Sequence, residues 1–272
     1  TWDLHGRYPN ILDDEIVGKQ ATELFIDAKK MLEKIISEKW LTAKGCFGIF
    51  RANSIEDDIE IFDSDLRKNS IHKFFTLRQQ SKKGGSAPNI ALADFIAPKE
   101  TNIDDYIGTF CVSTGFGCDE KAKLYENMND DYNSIMIKAL ADRLAEAFAE
   151  YLHKEIRTKY WGYSKNEQLD NESLIREKYI GIRPAPGYPA CPDHLEKKTI
   201  WELMNVEEKL GVKLTENLAM WPAASVSGYY FSNKNSKYFG LGKIKEDQLN
   251  DYSKRKNISL DDARKWLKPN LL

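Results

Sequence analysis

Four of the chain's nine prolines fall within nine residues, in the segment GIRPAPGYPACPDH at 181–194. Each proline fixes its own φ and drives the preceding residue toward extended conformations. The segment therefore cannot form a helix or a central strand, and we expect a stiff, extended loop. This loop carries one arginine, Arg183, and one Gly-Tyr pair, Gly187 and Tyr188.

The residue types in this loop suit a ligand that carries a carboxylate. A guanidinium binds a carboxylate through two parallel charge-assisted hydrogen bonds, which Arg183 can provide. Gly187 lets a ligand approach the backbone closely, and Tyr188 offers a flat ring with a hydroxyl at its tip. Because prolines hold these groups in place before a ligand arrives, the ordering cost of binding falls. The pattern alone fits equally a structural loop whose arginine pairs with a carboxylate of the core.

Composition argues against several classes of function. The 272 residues include 40 Lys+Arg against 42 Asp+Glu, so the basic surplus that nucleic-acid binding requires is missing. Runs of about 18 apolar residues are absent, and the first ten residues lack a signal-peptide pattern, so we expect a cytoplasmic protein without a membrane span. The four cysteines are spaced unlike a zinc site or a disulfide scaffold and are expected to be reduced thiols: Cys46, Cys111, Cys118 and Cys191.

Hydrophobic patterns predict a mixture of helices and strands before the proline loop. Apolar residues at three- and four-residue steps predict a helix over 13–40. Alternation predicts a strand over 58–62, and aromatic and β-branched residues predict a central strand over 105–117. The other elements predicted here are a strand over 45–52, a loop over 81–89 and a helix over 131–157.

The remaining third of the chain continues the mixture. A helix is predicted over 198–210, followed by strand-like aromatic sequence over 219–233 with a break at Gly228, and by a strand over 236–244. Ser259 and Asp262 form a capping-box pattern that opens a last helix ending at Leu267. Because strands and helices do not alternate as βαβ units, the prediction is an α+β fold, with residues 1–272 as one domain.

The helix predicted over 131–157 has two contrasting faces. Six apolar side chains are predicted to face the core: Met136, Leu140, Leu144, Ala147, Phe148 and Tyr151. The opposite face carries Asp142, Arg143, Glu146, Glu150 and His153. Such an acidic face is usually a solvated surface, although one of its carboxylates could hold a cationic ligand group.

Common catalytic and metal-binding motifs are missing from the sequence. The four histidines are scattered, and HExxH, paired CxxC, Walker A and GxGxxG patterns do not occur. Cys191 and His194 lie close in sequence, but sequence proximity is not nucleophile–base geometry, so a structural role is expected for both. The aromatic stretch at 228–239 fits either core strands joined by a turn at 233–235 or a stacking surface for a planar heterocycle.

Four stretches resemble the activation domain of cobalamin-dependent methionine synthases. They are GIRPAPGYPACPDH, DDYNSIMIKALADRLAEAFAEYLH (130–153), LTENLAMWPAASVSGYYFSN (214–233) and SKYF (236–239). The resemblance runs from about Trp2 to Leu271. It implies a single C-shaped α+β domain around a bent antiparallel sheet, with a shallow ligand groove on its inner face.

The resemblance also implies a function in repair. Domains of this family bind S-adenosylmethionine and act when the enzyme's cob(I)alamin has been oxidised to inactive cob(II)alamin. An electron from a flavoprotein, flavodoxin in bacteria, and a methyl group from S-adenosylmethionine then restore methylcobalamin. Cobalamin itself is expected on a neighbouring domain of the same enzyme. The protein then only has to position donor and acceptor, so no catalytic acid, base or metal ligand is predicted in this chain.

The resemblance carries over to particular residues. Arg183 is expected to take the methionine carboxylate of the ligand, while Gly187, Tyr188 and the backbone near Ala190 line the groove. A second contact region falls on Tyr238 and Phe239, the latter replacing a tyrosine of some members. Glu146 matches a family residue near the ligand, where it would offset the charge of the sulfonium or of the ammonium.

The resemblance raises one alternative function. Family members carry a ligand-contacting aspartate upstream of the segment that matches Thr1 and Trp2, so the chain is expected to be an excised domain that binds its ligand more weakly than the intact enzyme. The alternative is a docking module for the cobalamin domain and a flavoprotein, with little ligand binding of its own. A hydrolase that uses Cys191 and His194 is a remote third interpretation.

Overall fold

A five-stranded antiparallel sheet runs through the computed structural model, which describes residue 2 and residues 4–272. In spatial order, its strands are β3 (Ser70–Phe75), β2 (Asp58–Phe62), β1 (Thr42–Ile55), β4 (Asp105–Phe116) and β7 (Ser225–Tyr230). A second sheet pairs β5 (Lys213–Leu214) with β6 (Met220–Trp221). The predicted α+β class is confirmed.

Eight α-helices flank these strands in the described part of the chain. They are α1 (Gly18–Ser37), α2 (Cys118–Asn127), α3 (Asp131–Glu155), α4 (Asn171–Ile175), α5 (Glu196–Met204), α6 (Val206–Leu210), α7 (Glu246–Lys256) and α8 (Leu260–Leu267). The helix α3 continues into a π-helical turn over Ile156–Tyr160. None of the helices in the described residues is long and apolar enough to cross a membrane.

The described residues group into two compact units. The first takes its residues from 1–44, 113–147 and 221–225, and the second from 45–112, 148–220 and 226–272. One domain over 1–272 therefore stays a prediction.

The first unit is closed by short hydrogen bonds between its segments. Thr114 donates through its backbone N–H to the carbonyl of Ala224 at 3.0 Å and through its hydroxyl to the carbonyl of Ala141 at 2.7 Å. Gly117, at φ +92°, precedes α2, and a Cβ there would lie 2.3 Å from the carbonyl oxygen of Trp40. Only glycine adopts this conformation at such close approach without strain.

The second unit contains two clusters of buried apolar side chains. One joins the end of α3 to strands β4 and β7 through Phe110, Val112, Ala149, Leu152, Ile156 and Tyr230. Within it, the rings of Phe110 and Tyr230 stack with centroids 4.7 Å apart. The other packs helices α7 and α8 around Leu241, Ile244, Leu249, Tyr252, Ala263 and Leu267.

The predicted core face of α3 is confirmed only in part, since Met136 is buried and Phe148 packs against a buried cluster. Tyr151 and Ala147 are exposed, and the buried positions run instead through Ile137, Ala141, Ala145, Ala149 and Leu152. Alanines at four-residue steps let a helix approach its neighbours closely, whereas the sequence pattern gave more weight to the larger apolar residues. His153, predicted on the solvated face, is fully buried.

Three predicted elements near the C-terminus differ from the structure. The helix predicted over 198–210 is two helices, because Asn205 adopts a left-handed conformation with φ +53° between them. The strand-like stretch 219–233 breaks at Pro222 and not at Gly228, since proline has no N–H to donate to a strand ladder. Residues 236–244 form no strand.

Other predictions are confirmed. The predicted strands over 45–52, 58–62 and 105–117 correspond to β1, β2 and β4, and the helix predicted over 13–40 is present with later start and earlier end. Ser259 caps α8 by accepting from the N–H of Asp262 at 3.0 Å. The four cysteines are free.

We expect Gly228→Ala to destabilise the fold by roughly 2 kcal/mol. A Cβ at Gly228 would lie 2.4 Å from the carbonyl oxygen of Pro184 and 3.1 Å from the ring of Phe110, so the backbone of the proline loop would have to move. Urea unfolding measures the change. Gly84→Ala is the matched control, because no heavy atom lies within 4 Å of a Cβ there. Equal stability of the two variants would contradict this account of the contact.

Candidate functional site

The proline segment enters the fold as a short ladder beside β7. Ile182 and Phe231 exchange two backbone hydrogen bonds, at 3.1 and 3.0 Å, and the N–H of Tyr229 donates to the carbonyl of Pro184 at 2.9 Å. Gly181, at φ +86°, begins the segment where a Cβ would lie 2.3 Å from the carbonyl oxygen of Phe231. Since Pro184 contributes only its carbonyl, its missing N–H costs no hydrogen bond.

A tight turn follows around Gly187 and Tyr188. The N–H of Gly187 donates to the carbonyl of Cys191 at 2.8 Å, and the N–H of Tyr188 donates to that of Ala185 at 3.1 Å. Gly187 has φ +95°, and a Cβ there would lie 2.1 Å from the ring of His194. The turn leaves Tyr188 56% exposed, whereas Ala190 is buried. Tyr188 can therefore offer its ring to a ligand.

Arg183 is held at both its backbone and its side chain. Its backbone N–H donates to the hydroxyl of Tyr238 at 2.9 Å, and its Nη2 donates to Oε2 of Glu150 at 3.2 Å. The guanidinium carbon lies 6.0 Å from the centre of the Phe110 ring. In the described part of the chain, Nε of Arg183 is buried without a hydrogen-bond partner. The arginine is thus paired with a carboxylate and still has donors to spare.

Behind Arg183 lies a group of side chains that we call the polar cluster: Glu150, His153, Arg157, Glu167 and Tyr179. Arg157 is fully buried and donates to both carboxylate oxygens of Glu167, at 2.8 and 2.7 Å. Its Nη1 lies 3.7 Å from Oε1 of Glu150, and its guanidinium covers the Tyr179 ring at 4.3 Å. The Tyr179 hydroxyl lies 3.0 Å from that of Tyr238.

His153 is a neutral member of this cluster. Its ring stacks on Tyr230 at 5.0 Å, and its Nε2 lies 3.3 Å from the Tyr163 hydroxyl. Burial, with smaller contributions from the charges of Arg157 and Arg183, holds the pKa of His153 well below its ordinary value. The imidazole is therefore uncharged at neutral pH.

The structure brings some of the predicted site residues together. Arg183 and Tyr238 are in contact, and Gly187, Tyr188 and Ala190 share one turn. Phe239 follows Tyr238 and is half-buried, with its ring edge toward Phe95 at 6.3 Å. Their roles in binding stay predictions.

Glu146 belongs to the first compact unit. It lies within α3 and is half-buried. Its predicted place near the ligand stays a prediction.

In the sequence, Glu150 and His153 stand out only as members of the predicted solvated face of the helix, and Arg157 has no predicted role. The signal was available in their spacing, because positions 150, 153 and 157 recur at three- and four-residue steps and so share one helix face. A glutamate and an arginine seven residues apart on a helix are usually solvated side chains. Only the burial seen in the structure distinguishes Glu150 and Arg157 from such a surface pair.

Cys191 and His194 serve the structure of the loop. The Cys191 thiol lies 2.9 Å from the carbonyl oxygen of Ala185, and burial raises its pKa well above the ordinary value, so it stays a thiol. His194 packs against Gly187 and Trp266. Residues 2 and 4–272 contain no group of three side chains that could hold a metal ion.

The end of the loop is fixed to α7 by buried polar contacts. The Tyr252 hydroxyl donates to Asp193, and the Lys256 ammonium donates to Glu196. Burial raises the pKa of Glu196 to about 7, against the opposing attraction of Lys256. Together with the ladder beside β7, these contacts hold the loop at both ends.

The chain has an α+β fold whose candidate site presents a pre-positioned guanidinium. A family model described as "Vitamin B12 dependent methionine synthase, activation domain" matches residues 1–257, and the chain belongs to this family. The domain is part of cobalamin-dependent methionine synthase, a methyltransferase.

A solved structure is similar over nearly the whole chain. It is the crystal structure of the MetH reactivation domain bound to AdoHcy, with 56% sequence identity and a TM-score of 0.96. The match covers 99% of this chain and 83% of that one.

We expect His153 to make the folded state less stable in acid. Because its folded pKa lies below its unfolded value, the unfolded chain takes up a proton below about pH 6.5 that the folded protein does not bind. The contribution of neutral His153 to the free energy of unfolding is therefore complete above that pH. It is lost as the pH falls, by up to about 1.4 kcal/mol per pH unit. Urea unfolding at about pH 7.5 and pH 5.5 measures this slope.

His153→Phe keeps an aromatic ring against Tyr230 and has no proton to gain, so its stability should fall less between the two pH values. An unchanged slope in His153→Phe would show that His153 does not titrate on unfolding.

Proposed function

We propose that this domain binds S-adenosylmethionine and presents its methyl group to cobalamin during reactivation of methionine synthase. The observation that carries the proposal is the Arg183 site, where Tyr238 holds the backbone N–H, Glu150 holds the guanidinium, and Nε is buried without a hydrogen-bond partner in the described part of the chain. The similar MetH reactivation domain binds AdoHcy, which differs from S-adenosylmethionine by the transferred methyl group. This similarity supports the choice of ligand.

The charges of the site fit the amino-acid end of such a ligand. The two arginines, Arg157 and Arg183, form ion pairs with Glu150 and Glu167, and the carboxylate of Glu177 also interacts electrostatically with Arg183. A zwitterionic ligand end brings one negative and one positive charge, so its binding leaves the net charge of the site unchanged. We assign the ligand carboxylate to Arg183, whose guanidinium has five donors and uses one on Glu150.

The groove is assigned to the other predicted residues. The turn at Gly187 allows close approach of the ligand, and the exposed ring of Tyr188 offers apolar surface beside the backbone at Ala190. Tyr238 and Phe239 supply a second aromatic surface. We retain Glu146 as the carboxylate that offsets the positive charge of the ligand.

When bound, S-adenosylmethionine supplies a methyl group that is already activated by its positively charged sulfur. The chain's own residues then need only hold the donor and exclude wrong orientations, which is a positioning task. We propose that cobalamin is carried by the cobalamin-binding domain of the same enzyme, and that a flavoprotein such as flavodoxin docks transiently to deliver the electron in the cytoplasm. The isolated domain is expected to bind its ligand without turnover.

We expect Arg183→Ala to weaken S-adenosylmethionine binding roughly 30- to 100-fold, because a charge-assisted pair of hydrogen bonds to the carboxylate is lost. Isothermal titration calorimetry of the isolated domain measures the affinity. Arg176→Ala is the matched control with parental affinity, since Arg176 is exposed and pairs with Glu172 of its own helix.

Parental affinity in Arg183→Ala would contradict the assignment of the carboxylate. Absence of binding by the parent domain would contradict the proposed function itself. If the same preparation then bound flavodoxin, the docking module would be the better interpretation.

A further inference from the structure

Five buried polar atoms around Arg183 have no hydrogen-bond partner in the described part of the chain. They are Oε1 of Glu150, Nδ1 of His153, Nη1 of Arg157, Nε of Arg183 and the hydroxyl of Tyr230. Buried polar groups in folded proteins nearly always find a partner. Such a concentration at one place indicates that hydrogen-bonding capacity is kept for a polar guest.

A closed ring of contacts holds three of these atoms, those of Glu150, Arg157 and Arg183. Glu150 contacts Arg183 through one carboxylate oxygen, at 3.2 Å, and faces Arg157 with the other, at 3.7 Å. Arg157 covers the ring of Tyr179, and the Tyr179 hydroxyl contacts that of Tyr238. Tyr238 returns to Arg183 by accepting its backbone N–H. Both ends of Arg183 are thus tied to the same ring.

Glu150 is the link in this ring that sets the direction of the Arg183 guanidinium. Arg157 cannot adjust its position to follow Arg183, because two hydrogen bonds to the buried carboxylate of Glu167 fix it. The guanidinium of Arg183 also faces the Phe110 ring at 6.0 Å, a contact that lacks the directionality of a hydrogen bond. Without Glu150, an arginine side chain regains much of the rotamer freedom that binding must then remove.

We propose that Glu150 is a positioning residue for the amino-acid end of the ligand and makes the domain select ligands that carry this end. Glu150 orients the guanidinium of Arg183 toward the ligand carboxylate. The inference rests on the proposed function. It predicts how the domain's affinity differs between a ligand that carries an α-amino-acid group and one that has the same nucleoside without this group.

Two effects of removing the Glu150 charge have opposite signs. If Glu150 merely competed with the ligand carboxylate for Arg183, Glu150→Gln would tighten binding. If Glu150 positions Arg183, the same change weakens binding. The sign of the change therefore decides between competition and positioning.

The test compares AdoHcy with 5′-methylthioadenosine by calorimetry of the isolated domain. Both have a neutral thioether and the same nucleoside, and only AdoHcy has the amino-acid end. In Glu150→Gln we expect AdoHcy binding to weaken roughly tenfold and methylthioadenosine binding to change less than about twofold. Glu155→Gln is the matched control on the same helix, since Glu155 pairs with the exposed Lys159.

A second comparison asks whether Glu150 acts through Arg183. When Arg183→Ala is already present, adding Glu150→Gln should change AdoHcy affinity less than about twofold. Glu150→Asp keeps the charge but shortens the side chain by one methylene. We therefore expect this change to weaken AdoHcy binding and to leave methylthioadenosine binding unchanged. This variant also gives the comparison if Glu150→Gln does not fold.

Several results would overturn the inference. Tighter or unchanged AdoHcy binding in Glu150→Gln would show that Glu150 does not position Arg183. Equal losses for the two ligands would show a general effect on the fold. Failure of the parent domain to bind AdoHcy at all would overturn the proposed function, and this inference with it.

Discussion

The candidate site depends on the buried ion pair between Arg157 and Glu167. A buried guanidinium is tolerated only when its charge and its donors are matched, and the two hydrogen bonds to Glu167 provide most of this match. The pair is assembled locally. After α3, the chain makes a π-helical turn, and the carbonyl of Arg157 then accepts from Ser164 at 2.8 Å, so the segment folds back and brings Glu167 onto the guanidinium. The remaining nitrogen of Arg157, Nη1, faces Glu150, and the plane of its guanidinium lies over the ring of Tyr179.

The proline loop brings Arg183 to this prepared surface. Its first residues are fixed by the ladder beside β7, and its last residues are fixed by Asp193 and Glu196, which contact α7. Between these anchors the prolines restrict φ, so few alternative conformations are available to the unliganded loop. The ordering cost of ligand binding is therefore met during folding, by contacts that lie outside the groove. The same argument explains why the loop contains buried groups, such as the Cys191 thiol, that have no part in binding.

Much of the fold could be predicted from sequence because local patterns determine it. The proline loop, the alternation in β2 and the capping box at Ser259 each depend on residues a few positions apart. The prediction failed where a tertiary partner decides. The face of α3 is set by alanines that allow close packing, and the hydrophobic pattern ranked them below Leu144 and Tyr151. Residues 236–244 are rich in aromatic side chains but have no neighbouring strand to pair with, since the backbone of Leu241 donates to Pro189 of the loop instead.

At the candidate site, Arg183 alone shows both what local sequence predicts and what a tertiary partner decides. Sequence reasoning selected Arg183 and left two roles open for it, a ligand contact or a structural pair with a core carboxylate. The structure makes these roles compatible, because a guanidinium has five donors and Glu150 uses one of them. A lysine has one charged centre on a flexible stem and could not be oriented by one partner while it offered a planar pair of donors to another. The spacing of Glu150 places it on one helix face with Arg157, but its contact with Arg183, at 3.2 Å across 33 residues of chain, depends on the fold. Binding residues are visible in sequence when their chemistry is unusual for their setting, whereas the residues that orient them become visible only when the fold places them together.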